Sequence, residues 1–221
     1  MTPASIEHVL IPPLGLAGEL RRPPRPKGLV IFAHGSGSSR LSPRNQQVAA
    51  SLTETGFATL LFDLLTHGEA RTRTNVFDID LLAQRLIQAL DWAAARRDLA
   101  SLPVGLFGAS TGAAAALTAA AQRPRKVDAV VSRGGRPDLA GTALPKVVAP
   151  TLLIVGGDDE PVLSWNIEAA RSLGGQRCVE IIEGATHLFE EPGAMREVVH
   201  LATDWFETHL SDQPADATSG A

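Results

Sequence analysis

Two hydrophobic rhythms alternate along this chain. Beside a last strand read in "RCVEIIEG", mostly apolar runs end on small or polar residues in "GLVIFAHG", "FATLLFD", "LPVGLFG", "VDAVVSRGG" and "PTLLIVGG". Such runs belong to strands buried on both faces, as in a parallel sheet. Between them, apolar residues recur at helical spacing. Ser42 is placed to cap a helix over 43–56, with Pro43 in its first turn and Gly56 as its stop. A second helix is expected over 79–97 with Trp92 on its apolar face, a third in the alanine-rich run that Pro124 ends, and a fourth over 162–173. The last, 195–210, is amphipathic and expected to bury Val198, Val199, Trp205 and Phe206. Ahead of these, "SIEHVLIPP" and "LAGELRRP" read as two short strands joined by a turn at 12–15.

Strands alternating with helices predict a single α/β domain over 1–210. It should hold about eight strands in a mostly parallel sheet, helices on both faces, and no insertion long enough for a separate lid domain. The closing "SDQPADATSGA", 211–221, is small and polar and is expected to be a disordered tail.

Composition then removes whole classes of function. Net charge is −4 and the isoelectric point about 5.9, so no basic surface argues for nucleic acid or an anionic membrane. The start, "MTPASIEHVLIPP", lacks the basic and apolar regions of a signal peptide, and the alanine run is too weakly hydrophobic to span a bilayer. Cys178 is the single cysteine, so no internal disulfide or cysteine zinc site is possible. A cytoplasmic protein without metal or organic cofactor is expected. No exposed apolar stripe legible in the sequence sets an oligomeric state.

In open parallel sheets, ligands sit beyond the carboxyl ends of the strands. Four loops fall there: "HGSGSSR", "GASTG", "GGDDE" and "GATHLF". Gly108-Ala109-Ser110-Thr111-Gly112 is a G-x-S-x-G pattern between a buried strand and a helix, the context of a sharp turn that presents a serine hydroxyl. That hydroxyl needs a base within hydrogen-bond reach. His187, after the last strand, is the candidate, and "GGDDE" supplies a carboxylate to orient it. Asp159 is preferred, with Asp158 as the alternative. An oxyanion hole would take the Thr111 amide and a second amide from the glycine-rich first loop, Ser36 before Gly37.

Together "HGSGSSR", "FDLLTHGE", "GASTG", "GGDDEPV" and "GATH" resemble an α/β-hydrolase, and within that superfamily a lidless member similar to the dienelactone hydrolases. The resemblance covers about residues 5–210. It implies a serine–aspartate–histidine triad of Ser110, Asp159 and His187 with oxyanion amides at Ser36 and Thr111. Dienelactone hydrolases proper use a cysteine nucleophile and an acidic residue beside the oxyanion loop. This chain has Ser110 and Gly35 there, which favours an esterase cleaving a small ester, thioester or lactone. Dienelactone hydrolysis itself, acyl transfer or perhydrolysis by the same residues, and a non-catalytic binding module are the alternatives.

Plainer roles compete for several residues. Ser110 can be a helix cap and Asp159 a turn residue. His34 is read as bracing the first loop, His67 as part of a structural turn, His200 and His209 as surface residues, and Cys178 as a small core residue. Arg40, Arg133 and Arg136 stand on the expected rim and can grip a substrate carboxylate or fix loops through salt bridges. Phe77, Trp165 and Leu188 are the expected apolar pocket lining.

Overall fold

The computed structural model describes residues 4–210. Eight strands form one sheet in the order β1-β2-β4-β3-β5-β6-β7-β8: β1 (Ser5–Ile11), β2 (Leu16–Arg22), β3 (Leu29–Ala33), β4 (Ala58–Phe62), β5 (Val104–Ala109), β6 (Ala129–Arg133), β7 (Thr151–Gly156) and β8 (Arg177–Ile182). The first two strands are an antiparallel hairpin attached antiparallel to β4; the pairings from β4 to β8 are parallel. Every residue of β3, β4, β6 and β7 is buried, which explains why these strands are mostly apolar, with Thr59, Ser132, Arg133 and Thr151 the buried polar exceptions.

Helices cover both faces. On one lie α1 (Pro43–Glu54) and α6 (Ala194–Leu210), packed on Val30, Phe32, Phe107 and Val131. On the other lie α3 (Ile79–Ala95), α4 (Thr111–Gln122) and α5 (Val162–Ser172), packed on Leu29, Ile31, Leu106 and Val130. The α1 cap is as expected: Ser42 accepts from the Asn45 N–H and Pro43 opens the helix. No helix among the described residues is long and apolar enough to cross a membrane, and the 211–221 tail lies outside the described residues.

Two helical readings need correcting. In α6 the buried stripe is Ala194, Val198, Ala202, Phe206 and Leu210. Val199 and Trp205 are only half-buried, because the face turned to the sheet repeats every fourth residue and they flank it. Trp205 stacks instead on His209, ring centroids 4.4 Å apart, so His209 is half-buried rather than a surface residue. Segments read as loops also hold short helical turns: α2 (Arg73–Val76), a 3₁₀ turn at Glu69–Arg71 and a longer 3₁₀ segment at Pro137–Lys146. Their apolar residues are too few to show a period. Cys178 is half-buried on the edge strand β8, its thiol toward the Glu180 carboxylate at 3.2 Å.

Strand order reverses at β3. The chain passes from β3 to β4 on one side, then crosses back to β5 on the other. A crevice is expected at such a switch point, and here it lies between the first loop and the G-x-S-x-G turn.

Candidate active site

Close packing forces the turn after β5. A Cβ on Gly108 would lie 2.4 Å from Ala113 Cα, and one on Gly112 would lie 2.3 Å from the Ala33 carbonyl oxygen. Both glycines are therefore needed where α4 starts directly on top of β3 and β5. Ser110 between them has φ 51° and ψ −122°, a backbone state that costs a side-chain-bearing residue roughly 1–3 kcal/mol. Its hydroxyl makes no capping bond to α4. Its N–H is held by the Arg133 carbonyl at 3.3 Å and its carbonyl by the Arg136 N–H at 3.1 Å. The strained residue is thus fixed by its backbone while its side chain is left free of any cap.

His187 follows β8. Its Nδ1 lies 2.8 Å from Asp159 Oδ2. Asp159 is buried while the imidazole is partly open, with side-chain exposures of 8% and 37%. A carboxylate only accepts, so Nδ1 carries the proton and the Nε2 lone pair is left outward. Between the two loop aspartates, then, Asp159 meets the imidazole. The nearby Asp158 N–H pairs with the Ala185 carbonyl at 3.0 Å, which ties the aspartate loop to the histidine loop. Gly134, after β6, lies beside the ring. A Cβ there would lie 3.6 Å from His187 Cε1, and the preceding carbonyl, that of Arg133, receives the Ser110 N–H. If Asp159 orients a catalytic imidazole, Asp159→Asn is expected to lower hydrolytic turnover roughly 10³-fold by reversing the tautomer, whereas Asp158→Asn stays within about threefold. Steady-state rates of the two variants provide the check.

The loop after β3 lies against the other side of the serine: a Cβ on Gly35 would sit 3.0 Å from Ser110 Cβ. Gly37, at φ 69°, is the third residue of a tight turn closed by Ser38 N–H to Gly35 carbonyl at 3.2 Å. The Ser36 N–H donates to Thr111 Oγ1 at 2.9 Å. Sequence reasoning placed the Thr111 amide at this site but missed its hydroxyl, whose only signal was a polar residue directly after the serine.

His34 braces the loop. Its Nε2 accepts the Leu64 N–H at 3.1 Å, so its protonated Nδ1 donates to the Gly35 carbonyl at 3.0 Å. Burial holds the ring below the ordinary histidine range. The unfolded chain therefore takes up a proton near pH 6.5 that the folded chain refuses, and stability falls as pH drops below that point. Urea unfolding between pH 7 and 5 should show a steeper loss in the wild type than in His34→Gln, by up to about 1.4 kcal/mol per pH unit. Equal slopes would count against a neutral, buried His34.

The arginines part company. Arg40 is committed to Asp63, its N–H at 2.8 Å and its guanidinium also paired with that carboxylate. Arg136 forks onto Asp138 and lies 4.0 Å from the Trp165 ring centroid, so Trp165 is partly covered. Arg133 is buried, donates to Asn45 Oδ1 at 3.3 Å and lies 5.8 Å from the Phe189 ring centroid. Burial, together with the like charge of Arg44, lowers its guanidinium to about 10, still charged at neutral pH. Leu188 and Phe77 stand exposed at the rim. Thr66 and Glu69 hold the turn that contains His67.

Comparison with known proteins agrees with this architecture. Residues 24–135 match the family model described as serine aminopeptidase, S33. A dienelactone hydrolase from Anabaena variabilis superposes with a TM-score of 0.90 at 54% identity, over 94% of this chain and 98% of that one. This chain belongs to the α/β-hydrolases. Its fold is that of the dienelactone hydrolase-like members, with no separate lid among the described residues. Est1E from Butyrivibrio proteoclasticus shares the fold at a TM-score of 0.77 and 17% identity, over 92% of this chain and 98% of Est1E. A Mycobacterium tuberculosis protein named "Putative phosphoribosyl transferase" is 60% identical over 203 residues, 92% of this chain. Those residues are 46% of its length, so this hydrolase spans about half of that curated relative.

Proposed function

We propose that this α/β-hydrolase is a serine carboxylic ester hydrolase acting on small esters, thioesters or lactones. Ser110 Oγ attacks the carbonyl carbon while His187 Nε2 takes its proton, forming a tetrahedral oxyanion. Collapse breaks the bond to the leaving group, which receives that proton from His187. Water, deprotonated by the same nitrogen, then cleaves the acyl-serine and restores Ser110. Asp159 holds the imidazole in the tautomer this cycle requires. The Thr111 and Ser36 amides receive the oxyanion, a single such donor contributing about 3 kcal/mol to the transition state. To free the Ser36 amide, the substrate oxygen displaces the Thr111 hydroxyl.

The observation that carries this reading is the 2.8 Å contact between Asp159 and His187, with that imidazole beside Gly134, whose preceding carbonyl accepts the N–H of the strained Ser110. A fluorophosphonate probe tests it. The expected result is one adduct per chain, mapped by mass spectrometry to Ser110, together with turnover of p-nitrophenyl acetate. A folded wild type that neither labels nor turns over would leave the non-catalytic binding module as the better description.

A further inference from the structure

A cavity of about 320 Å³ opens between the carboxyl ends of β3 and β4. Its upper wall is the His34–Ser39 loop, so it shares Gly35 and Ser36 with the serine site. Its far wall is apolar, built from Leu64, Leu65, Val76 and Leu82, with Ala70 at the side. Sequence reasoning placed no pocket here, because Ala70 and Val76 come from a stretch read as loop.

Strand order decides which end of a substrate could enter. His187 and Asp159 follow β8 and β7, on one side of β5; the cavity lies on the opposite side, at β3 and β4. The leaving group must stay near the imidazole that protonates it. The group that remains on Ser110 therefore points away from His187, towards the cavity.

Of the polar groups that line it, Asp63 and His34 are engaged, His67 is exposed, and Ser36, Ser38 and Ser39 add only neutral hydroxyls. Both Asp63 oxygens are taken by Arg40, and both nitrogens of His34 by backbone groups. Arg71 and Arg73 line only a shallower outer groove and are exposed, where water and salt screen them. No lysine or arginine lines the cavity, and the one base there besides the engaged His34 is His67, which stands exposed to water, so little offsets the desolvation of a buried carboxylate.

We propose that this cavity receives the acyl portion of the substrate and selects a neutral, compact, mainly apolar group. The proposal rests on the Ser110 hydrolase reading and adds which end of the ester is selected and by what. An engineered cavity of about 150 Å³ in another protein holds benzene, so this one, at about 320 Å³, has room for a compact acyl group of about six carbons.

A series of p-nitrophenyl esters tests it: acetate, butyrate, hexanoate and dodecanoate, with the hemi-adipate as the anionic counterpart of hexanoate. For the wild type, kcat/KM should climb up to about fourfold per methylene as far as hexanoate, the ratio that corresponds to 0.8 kcal/mol per buried methylene, and fall again by dodecanoate. The hemi-adipate should be at least tenfold poorer than hexanoate. Val76→Phe fills the cavity from one side, and the exposed position offers Ala70→Trp as a second plug that does not disturb the core. Each should cut the hexanoate-to-acetate ratio at least tenfold, with fluorophosphonate labelling reporting whether Ser110 remains competent. A labelled enzyme with a flat series, a preference for the hemi-adipate, or ratios unchanged in both variants overturns the acyl pocket alone. An unlabelled wild type that hydrolyses none of the esters overturns the hydrolase reading and the pocket together.

Discussion

Ser110→Ala is expected to reduce kcat for p-nitrophenyl esters by roughly 10⁶-fold, about what loss of a serine nucleophile costs in a serine protease. The residue does no helix capping, so its hydroxyl leaves no structural debt when removed. A sharper test compares stability. The backbone at Ser110 stays at φ 51° and ψ −122° whatever side chain it carries, because the Arg133 carbonyl and Arg136 N–H hold it there. Glycine tolerates that conformation and alanine does not. Ser110→Gly should therefore be equally inactive yet about 1 kcal/mol more stable than Ser110→Ala, after allowing for glycine's larger loss of chain entropy. Urea midpoints of the two variants decide it. If alanine proved the more stable, the turn would not be strained, and the claim that the fold spends stability to present this hydroxyl would fail.

Gly112→Ala should be among the most damaging single methyls in the molecule, and the one of these that strikes the serine turn. The added carbon would lie 2.3 Å from the Ala33 carbonyl oxygen and 2.6 Å from that of His34, both backbone atoms. Ala33 is fully buried at the end of a central strand, so it has nowhere to move. Overpacking a core with flexible neighbours costs about 1–3 kcal/mol; against rigid backbone at this distance the cost should reach about 3 kcal/mol or more. That is a large share of the roughly 5–15 kcal/mol that holds a typical domain folded. Any relief must push the His34–Ser39 loop off the serine, so labelling of Ser110 should be lost even in the fraction that folds. Gly68→Ala is the control. Gly68 has an ordinary helical backbone and open space around its Cβ position, so its substitution should change stability by no more than about 0.5–1 kcal/mol, in the stabilising direction. Equal midpoints for the two variants would mean that α4 does not pack on β3 as closely as described.

Element order and the four loops at the rim could be read from residues alone, because each depends on a local rule. A strand buried on both faces must be mostly apolar, as "LVIFA" and "LLIV" are, and a helix must repeat near every fourth residue. The serine turn announces itself for the same reason: its glycines answer to contacts within a few residues and one neighbouring strand. Packing in three dimensions settled the rest. Asp158 and Asp159 are chemically identical in the sequence, and only the angle at which their loop meets the segment after β8 puts Asp159 on the imidazole. Arg40 and Arg133 are the same residue type on the same rim. One is neutralised by Asp63 from the end of β4, while the other is buried between Phe189 and the first turn of α1. The Thr111 hydroxyl finds the Ser36 amide across 75 residues, and the β3–β4 cavity has walls drawn from three separate stretches. Periodicity records what a residue needs from its immediate neighbours. Pairings between distant segments depend on how the sheet twists and where its loops end, and no short window of sequence contains them.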